Sequence, residues 1–313
     1  MKNAEQFAVI RQRRSLFSYM DEVKDPRPPH RGLKKGLYVI PTLFTAANVA
    51  MGYLAVLSSI RGFQLSSVDP ALAATYFNSA GIAIGLAILF DTVDGRIARA
   101  TRTATEIGVQ FDSLADVLTF GIAPTALVYG WAIAPVFAER SPGHNLGVFL
   151  LFAFLMCGAF RLARYNLQAT RPHVLIEGAV KVDKKAFVGL PIPPAGGLLA
   201  ALVHFAPAPL SVYDSATAQM YGYALMALIA VVSILMVSTI RYTSMKAAGK
   251  GRQGFFLVLL LAGVAMGIWF YSEYALLLLA GSYVAHGVGW WAVRSLGRLF
   301  RPVSRPEGET LRQ

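Results

Sequence analysis

The first 36 positions are mainly polar and basic and hold no long apolar run, whereas such runs occupy most of the chain after them. Eight of these runs are each about long enough for an α-helix to cross the hydrocarbon core of a bilayer. Their limits are 37–60, 73–93, 109–137, 146–165, 187–208, 220–240, 254–271 and 274–293. Only a few positions around Glu273 separate the last two, so a tight hairpin is expected there. Pro191, Pro193 and Pro194 fall inside the fifth run. They predict a kink, because proline removes a backbone donor and crowds the preceding turn. In the leading tail, Phe7 to Met20 is weakly amphipathic and compatible with a membrane surface, and Pro26-Arg27-Pro28-Pro29 reads as a stiff linker. The pattern predicts an all-α integral membrane protein with about eight transmembrane helices.

Composition points the same way. Of 313 residues, 55% are apolar and 15% charged, against roughly a quarter charged in a soluble domain. Mean hydropathy is +0.51. Such a chain lacks the polar surface of a soluble enzyme, a coiled coil or a disordered protein. Its single cysteine, Cys157, excludes an internal disulfide and a multi-cysteine metal site. A net charge of +12 would suggest nucleic acid in a soluble protein, but its distribution says otherwise. Nine of the Lys and Arg residues lie in the leading tail, three after span two and six around the end of span four. Four follow span six and five lie in the trailing tail, leaving only Arg61 and Arg140 for the other side. That alternation is a positive-inside signal: it supports an even number of spans, puts both termini in the cytoplasm and makes nucleic-acid binding unnecessary. The first 36 residues hold no apolar run, so no secretory leader is expected there. With the compact size, this favours a bacterial cytoplasmic membrane.

Four of the nine aspartates are concentrated between positions 91 and 116, where span two ends and span three begins. Asp91 and Asp94 are three apart, and Gly95 and Ala98 continue the same helical face. Asp112 and Asp116 are four apart, with Gly108 one turn before them. Two antiparallel helices joined by a short loop would bring these stripes together. A structural cluster with Arg96, Arg99 and Arg102 is the plainer alternative. Those arginines cannot reach all four acids, however, and such a cluster needs no small residues on the acidic face. Oxygen donors without His or Cys select Mg²⁺, Mn²⁺ or Ca²⁺, and four acids suit a two-metal centre that clamps a phosphoryl group. Arg99 could then hold a second phosphate through paired hydrogen bonds. The residues themselves lead to a metal-dependent phosphoryl-transfer site at the cytoplasmic membrane surface.

The complete pattern, Asp-x2-Asp-Gly-x2-Ala-Arg-x8-Gly-x3-Asp-x3-Asp, resembles the signature of the CDP-alcohol phosphotransferase family at every fixed position. The resemblance implies a core of six membrane helices, often dimeric, open to the cytoplasmic leaflet. It implies that Asp91, Asp94, Asp112 and Asp116 hold two divalent cations, Mg²⁺ or Mn²⁺, with Asp116 also the catalytic base. Gly95, Ala98 and Gly108 correspond to positions where the CDP group packs, and Arg99 to its diphosphate contact. LYVIPTLFTAANVAMG (37–52), DSLADVLTFGIAP (112–124), CGAFRLARYN (157–166), FVGLPIPPAGG (187–197) and LMVSTIRYTSMK (235–246) are similar to the branch that uses serine as acceptor. That likeness implies transfer of a phosphatidyl group from CDP-diacylglycerol to L-serine, giving phosphatidylserine and CMP, by a homodimer among membrane lipids. Arg161 and Arg164 are then candidates to hold the acceptor carboxylate or a lipid phosphate.

The expected organisation is a basic tail (1–36), a catalytic membrane core (37–246), two further membrane helices (247–293) and a second basic tail (294–313). The alternatives are another acceptor, such as glycerol 3-phosphate or an inositol phosphate, and more distantly a cation or solute transporter. A transporter site would lie near the bilayer midplane, commonly between repeated halves. Here the acids lie at span ends, and no repeat is visible.

Overall fold

The computed structural model describes residues 33–101, 106–170, 186–243, 266–268, 270–287 and 289. The chain falls into two compact units, Met1–Val39 and Ile40–Gln313. Of the first unit, only residues 33–39, the opening turns of a helix, are described. Among the described residues the chain is helical apart from one short ladder. The helices are α1 (Leu33–Leu65), α2 (Pro70–Thr101), α3 (Glu106–Asp116), α4 (Ala123–Val128), α5 (Pro142–Thr170), α6 (Ile192–Phe205) and α7 (Ser215–Val237). A further helix, α8, covers 270–287. Strands β1 (Ala186–Val188) and β2 (Arg241–Thr243) pair antiparallel, with Phe187 opposite Tyr242.

Among the described residues, six helical segments are long and apolar enough to cross a membrane: Thr42–Leu65, Pro70–Ile97, Ile107–Ile133, Pro142–Leu167, Ile192–Val212 and Ser215–Val237. They correspond to the first six expected spans. The predicted run 254–271 lies mostly outside the described residues, so a count of eight is not established. α8 overlaps the last predicted span. The chain reverses between Gly267 and Ala275, in keeping with the tight hairpin expected around Glu273. A Cβ on Gly267 would lie 3.8 Å from that of Ala275, whereas eight residues of continuous helix span about 12 Å.

Helix packing rests on small residues at close crossings and on large side chains between them. α2 runs along α6, and α5 along α7. A Cβ on Gly81 would meet the Ala200 carbonyl at 3.0 Å, and one on Gly196 the Phe120 carbonyl at 2.7 Å. Phe77, Phe120, Phe154, Leu127, Leu199 and Ile229 fill the interior and are fully buried. Phe149, Phe152 and Phe160 on α5 and Ile234 on α7 stay exposed. An outward apolar girdle of this kind is stable against lipid and unfavourable against water. α8 is tied to the bundle by His204 of α6, whose ring nitrogens bridge Asn78 of α2 and Ser272.

Pro191, Pro193 and Pro194 do not kink a helix; they start one. Pro191 is the N-cap residue of α6, with φ −61° and ψ 146°, and Pro193 and Pro194 lie in the first turn. The missing N–H groups there would have had no intrahelical partner in any case. Before them, Gly189 has φ +82°, and a Cβ on it would lie 2.2 Å from the Met236 carbonyl oxygen. This close approach lets Gly189 N–H donate to Ile240 and Leu190 N–H to Leu235.

The third span is not a uniform α-helix. Between α3 and α4 the backbone widens into a π turn over Val117–Ile122, and a second π turn covers Tyr129–Ile133. π turns inside helices are uncommon and concentrate at functional sites. The first begins directly after Asp116, and its buried residue Thr119 meets α1. The Thr119 hydroxyl donates to the Asn48 carbonyl at 3.3 Å. A Cβ on Gly52 would lie 2.6 Å from Thr119 Oγ1 and 2.9 Å from its Cα. Gly52→Ala therefore has to move the backbone of α1 or of the π turn. We expect it to lower the thermal midpoint by several degrees, as a loss of about 1–3 kcal/mol would. Gly85, with open space where its Cβ would stand, is the control: its alanine variant should match or exceed the parent in the same melting experiment.

Candidate active site

Helices α2 and α3 bring the acidic stripes together at one end of the bundle. One carboxylate oxygen from each of Asp91, Asp112 and Asp116 lies within 4.8 Å of the others. Asp116 and Asp94 are buried, and Asp91 and Asp112 are half-buried. At that separation each pair of like charges costs about 3 kcal/mol at an effective dielectric constant of about 20. Three pairs would consume most of the 5–15 kcal/mol by which a typical protein is stable. Such a group persists only when a proton or a cation compensates it.

The donor set suits a hard divalent cation. Mg²⁺ binds oxygen at about 2.0–2.1 Å, so two ligands on one ion stand about 4 Å apart or less. Asp116 Oδ1 is fully buried and has no hydrogen-bond partner among the described residues, so it is available as a ligand or as a proton acceptor. Asp94, one turn beyond Asp91, stands outside the three-carboxylate group. Its Oδ2 accepts a hydrogen bond from Thr45 of α1 at 3.1 Å. The structure thus groups three of the four predicted acids directly and holds the fourth beside them through a neutral hydroxyl.

The neighbouring positions are less uniform. Gly95 is half-buried on α2, and Gly108 is exposed at the start of α3. Ala98 and Arg99 lie on the last turns of α2, and their side chains are outside the described residues. Arg161 of α5 is buried and is a cationic neighbour of Asp116 among the described residues. Its other ionisable neighbours are Tyr283 of α8, Tyr165 and Arg164. Arg164 instead reaches along α7, where its Nη1 donates to the Val237 carbonyl at 3.5 Å. Asn166, two residues on, donates to Ser113 Oγ at 2.8 Å and so ties the end of α5 to α3 beside Asp112.

Sequence reasoning missed Thr45, Ser113, Asn166 and Tyr283 as neighbours of the site. Thr45 and Asn166 sit in segments whose family likeness was visible, so the signal existed without a role attached. Tyr283 carries no such mark.

Comparison with known proteins identifies the family. Residues 38–293 match the model of a family described as CDP-alcohol phosphatidyltransferase. The chain is 28% identical over 264 residues to a CDP-diacylglycerol–serine O-phosphatidyltransferase of Helicobacter pylori, a match covering 82% of this chain and 92% of that protein. It is 31% identical over 214 residues to an archaetidylserine synthase of Methanothermobacter thermautotrophicus, covering 67% and 72%. A Saccharomyces cerevisiae CDP-diacylglycerol–serine O-phosphatidyltransferase is 30% identical over 164 residues, 52% of each chain. The family match runs from the first span through α8, and the chain belongs to the CDP-alcohol phosphatidyltransferase family.

Proposed function

We propose that this protein transfers the phosphatidyl group of CDP-diacylglycerol to the hydroxyl of L-serine, producing phosphatidylserine and CMP. The observation that carries the reading is the gathering of Asp91, Asp112 and Asp116 beside Asp94 at one end of a membrane bundle. The acceptor follows from the similar proteins, whose names specify serine transfer. The alternation of basic residues supports a cytoplasmic position for that end and for both termini. The bacterial relatives support the inner membrane. A homodimer is the assembly that family likeness implies.

In this mechanism the acyl chains of the donor remain in lipid while its diphosphate lies over the acidic face. Asp91, Asp94, Asp112 and Asp116 are the residues that would hold two divalent cations, Mg²⁺ or Mn²⁺. When bound, those ions supply the positive charge that offsets the diphosphate and the departing phosphate. Arg99 is positioned in sequence to add a guanidinium to the same group, and Gly95, Ala98 and Gly108 leave space for the nucleotide. Asp116 accepts the serine hydroxyl proton as that oxygen attacks the phosphorus bearing diacylglycerol. The new O–P bond forms as the bond from that phosphorus to the CMP oxygen breaks, and CMP leaves. Arg161, buried beside Asp116, pairs with the serine carboxylate. A transporter reading is disfavoured because the acids stand at span ends: Asp94 lies three residues before the end of the span Pro70–Ile97, and Asp112 five residues into the span Ile107–Ile133.

Asp116→Asn keeps the shape of the side chain and removes its ability to take a proton. We expect phosphatidylserine formation to fall by about 10²–10⁴-fold, with CDP-diacylglycerol binding largely retained in an equilibrium assay. Near-normal turnover would refute the assignment of the base. Membranes containing the protein, given CDP-diacylglycerol and labelled serine, should form lipid-extractable label and CMP in equal amounts. Both should stop on chelation with EDTA and return with excess Mg²⁺ or Mn²⁺. Metal-dependent CMP release with glycerol 3-phosphate but not with serine would keep the site and change the acceptor.

A further inference from the structure

Asn48 of α1 is fully buried, and among the described residues no protein group hydrogen-bonds either its amide oxygen or its amide nitrogen. Leaving such a group unmatched is destabilising, and buried amides without partners are rare in native proteins. Its position is specific. Asn48 lies one turn along α1 from Thr45, which hydrogen-bonds Asp94. Its own backbone carbonyl takes the Thr119 hydroxyl, and Thr119 lies three residues beyond Asp116. Asn48 therefore stands where α1 and the first π turn meet, one helical turn from the residue that holds Asp94. Asp116 Oδ1 and Arg161 Nε, at this same end, are likewise buried with no hydrogen-bond partner among the described residues. The three come from three different helical segments and comprise a neutral amide, an acceptor and a cationic donor.

We propose that Asn48 is the residue that recognises the acceptor alcohol and selects a small zwitterion over a phosphorylated one. This rests on the serine reading above and adds a residue to it. An amide offers one acceptor and two donors without net charge. Its Oδ1 accepts from the acceptor's ammonium and its Nδ2 donates to a carboxylate oxygen, while Arg161 takes the carboxylate and Asp116 the hydroxyl proton. A phosphate-bearing alcohol would bring about two negative charges against the same neutral amide and a group of aspartates. Arg161 can offset only one of those charges, and burying the other against a neutral amide and aspartates is unfavourable, so the amide selects against it.

The test uses the full-length protein in mixed micelles with CDP-diacylglycerol, Mg²⁺ or Mn²⁺ and labelled serine. Leucine has nearly the volume of asparagine and no polar atoms, so Asn48→Leu separates the two explanations of the buried amide. If Asn48 recognises the acceptor, the variant should melt at or above the parent temperature. Its KM for serine should rise at least about 10-fold, as expected for a lost hydrogen bond to a charged group. The KM for CDP-diacylglycerol should stay within about 2-fold, and serine should no longer raise the melting temperature of protein loaded with CDP-diacylglycerol. An unchanged serine KM would overturn the proposal, as would equal shifts in both KM values. Should Asn48→Leu fail to fold, Asn48→Ser is read by the same two constants, and an unselective change again overturns it. Parent protein that uses glycerol 3-phosphate and not serine would defeat the serine reading before any variant is made, so the two failures remain distinct.

Discussion

Three carboxylate oxygens within 4.8 Å of one another impose a condition that the surrounding helices have to meet. They repel, and neither α2 nor α3 can hold the arrangement alone, since each carries only its own pair of aspartates. Restraints come from other helices. α1 reaches Asp94 through the Thr45 hydroxyl, and α5 reaches α3 through the Asn166 amide on Ser113. These two neutral contacts fix position without adding charge, and Arg161 of α5 is a charged neighbour of Asp116. The apolar centre around Phe77, Phe120 and Phe154 provides the stability against which this local repulsion is held.

The acidic chemistry was legible in the sequence because it is carried by short spacings on two successive helices. A three-residue and a four-residue interval each define one helical face, so Asp91, Asp94, Asp112 and Asp116 could be paired before any tertiary structure was known. The contacts that support them were not legible. Thr45 and Asp94 are separated by 49 residues, and Thr119 and Asn48 by 71. Periodicity carries no information about which face of α1 meets which turn of the third span. The two π turns were hidden for a related reason: a helix that widens for one turn has the same apolar composition as one that does not.

Element boundaries show how local chemistry and hydropathy compete. The apolar run 187–208 includes the short strand, the Gly189 turn and α6, and hydropathy cannot divide them. The prolines could have: at a helix start they cost nothing, and in its interior each would cost about 3 kcal/mol. Around Glu273 hydropathy did mark a boundary: a single acidic residue between apolar runs falls where Gly267 and Ala275 come together across a turn. Buried and lipid-facing side chains are equally apolar, so Phe154 in the core and Phe152 on the surface, both on α5, differ only in the neighbours that packing gives them.

The π turn after Asp116 separates two parts of one helix that answer to different demands. An extra residue in a turn advances the side-chain phase by about 100° relative to an uninterrupted α-helix. Upstream of it, Asp112 and Asp116 are aligned with the acids of α2. Downstream, Leu127 and Ile133 are aligned with the apolar interior. The turn therefore sets the phase between the two ends, so that one continuous span presents its carboxylates to α2 and its large apolar side chains to the interior.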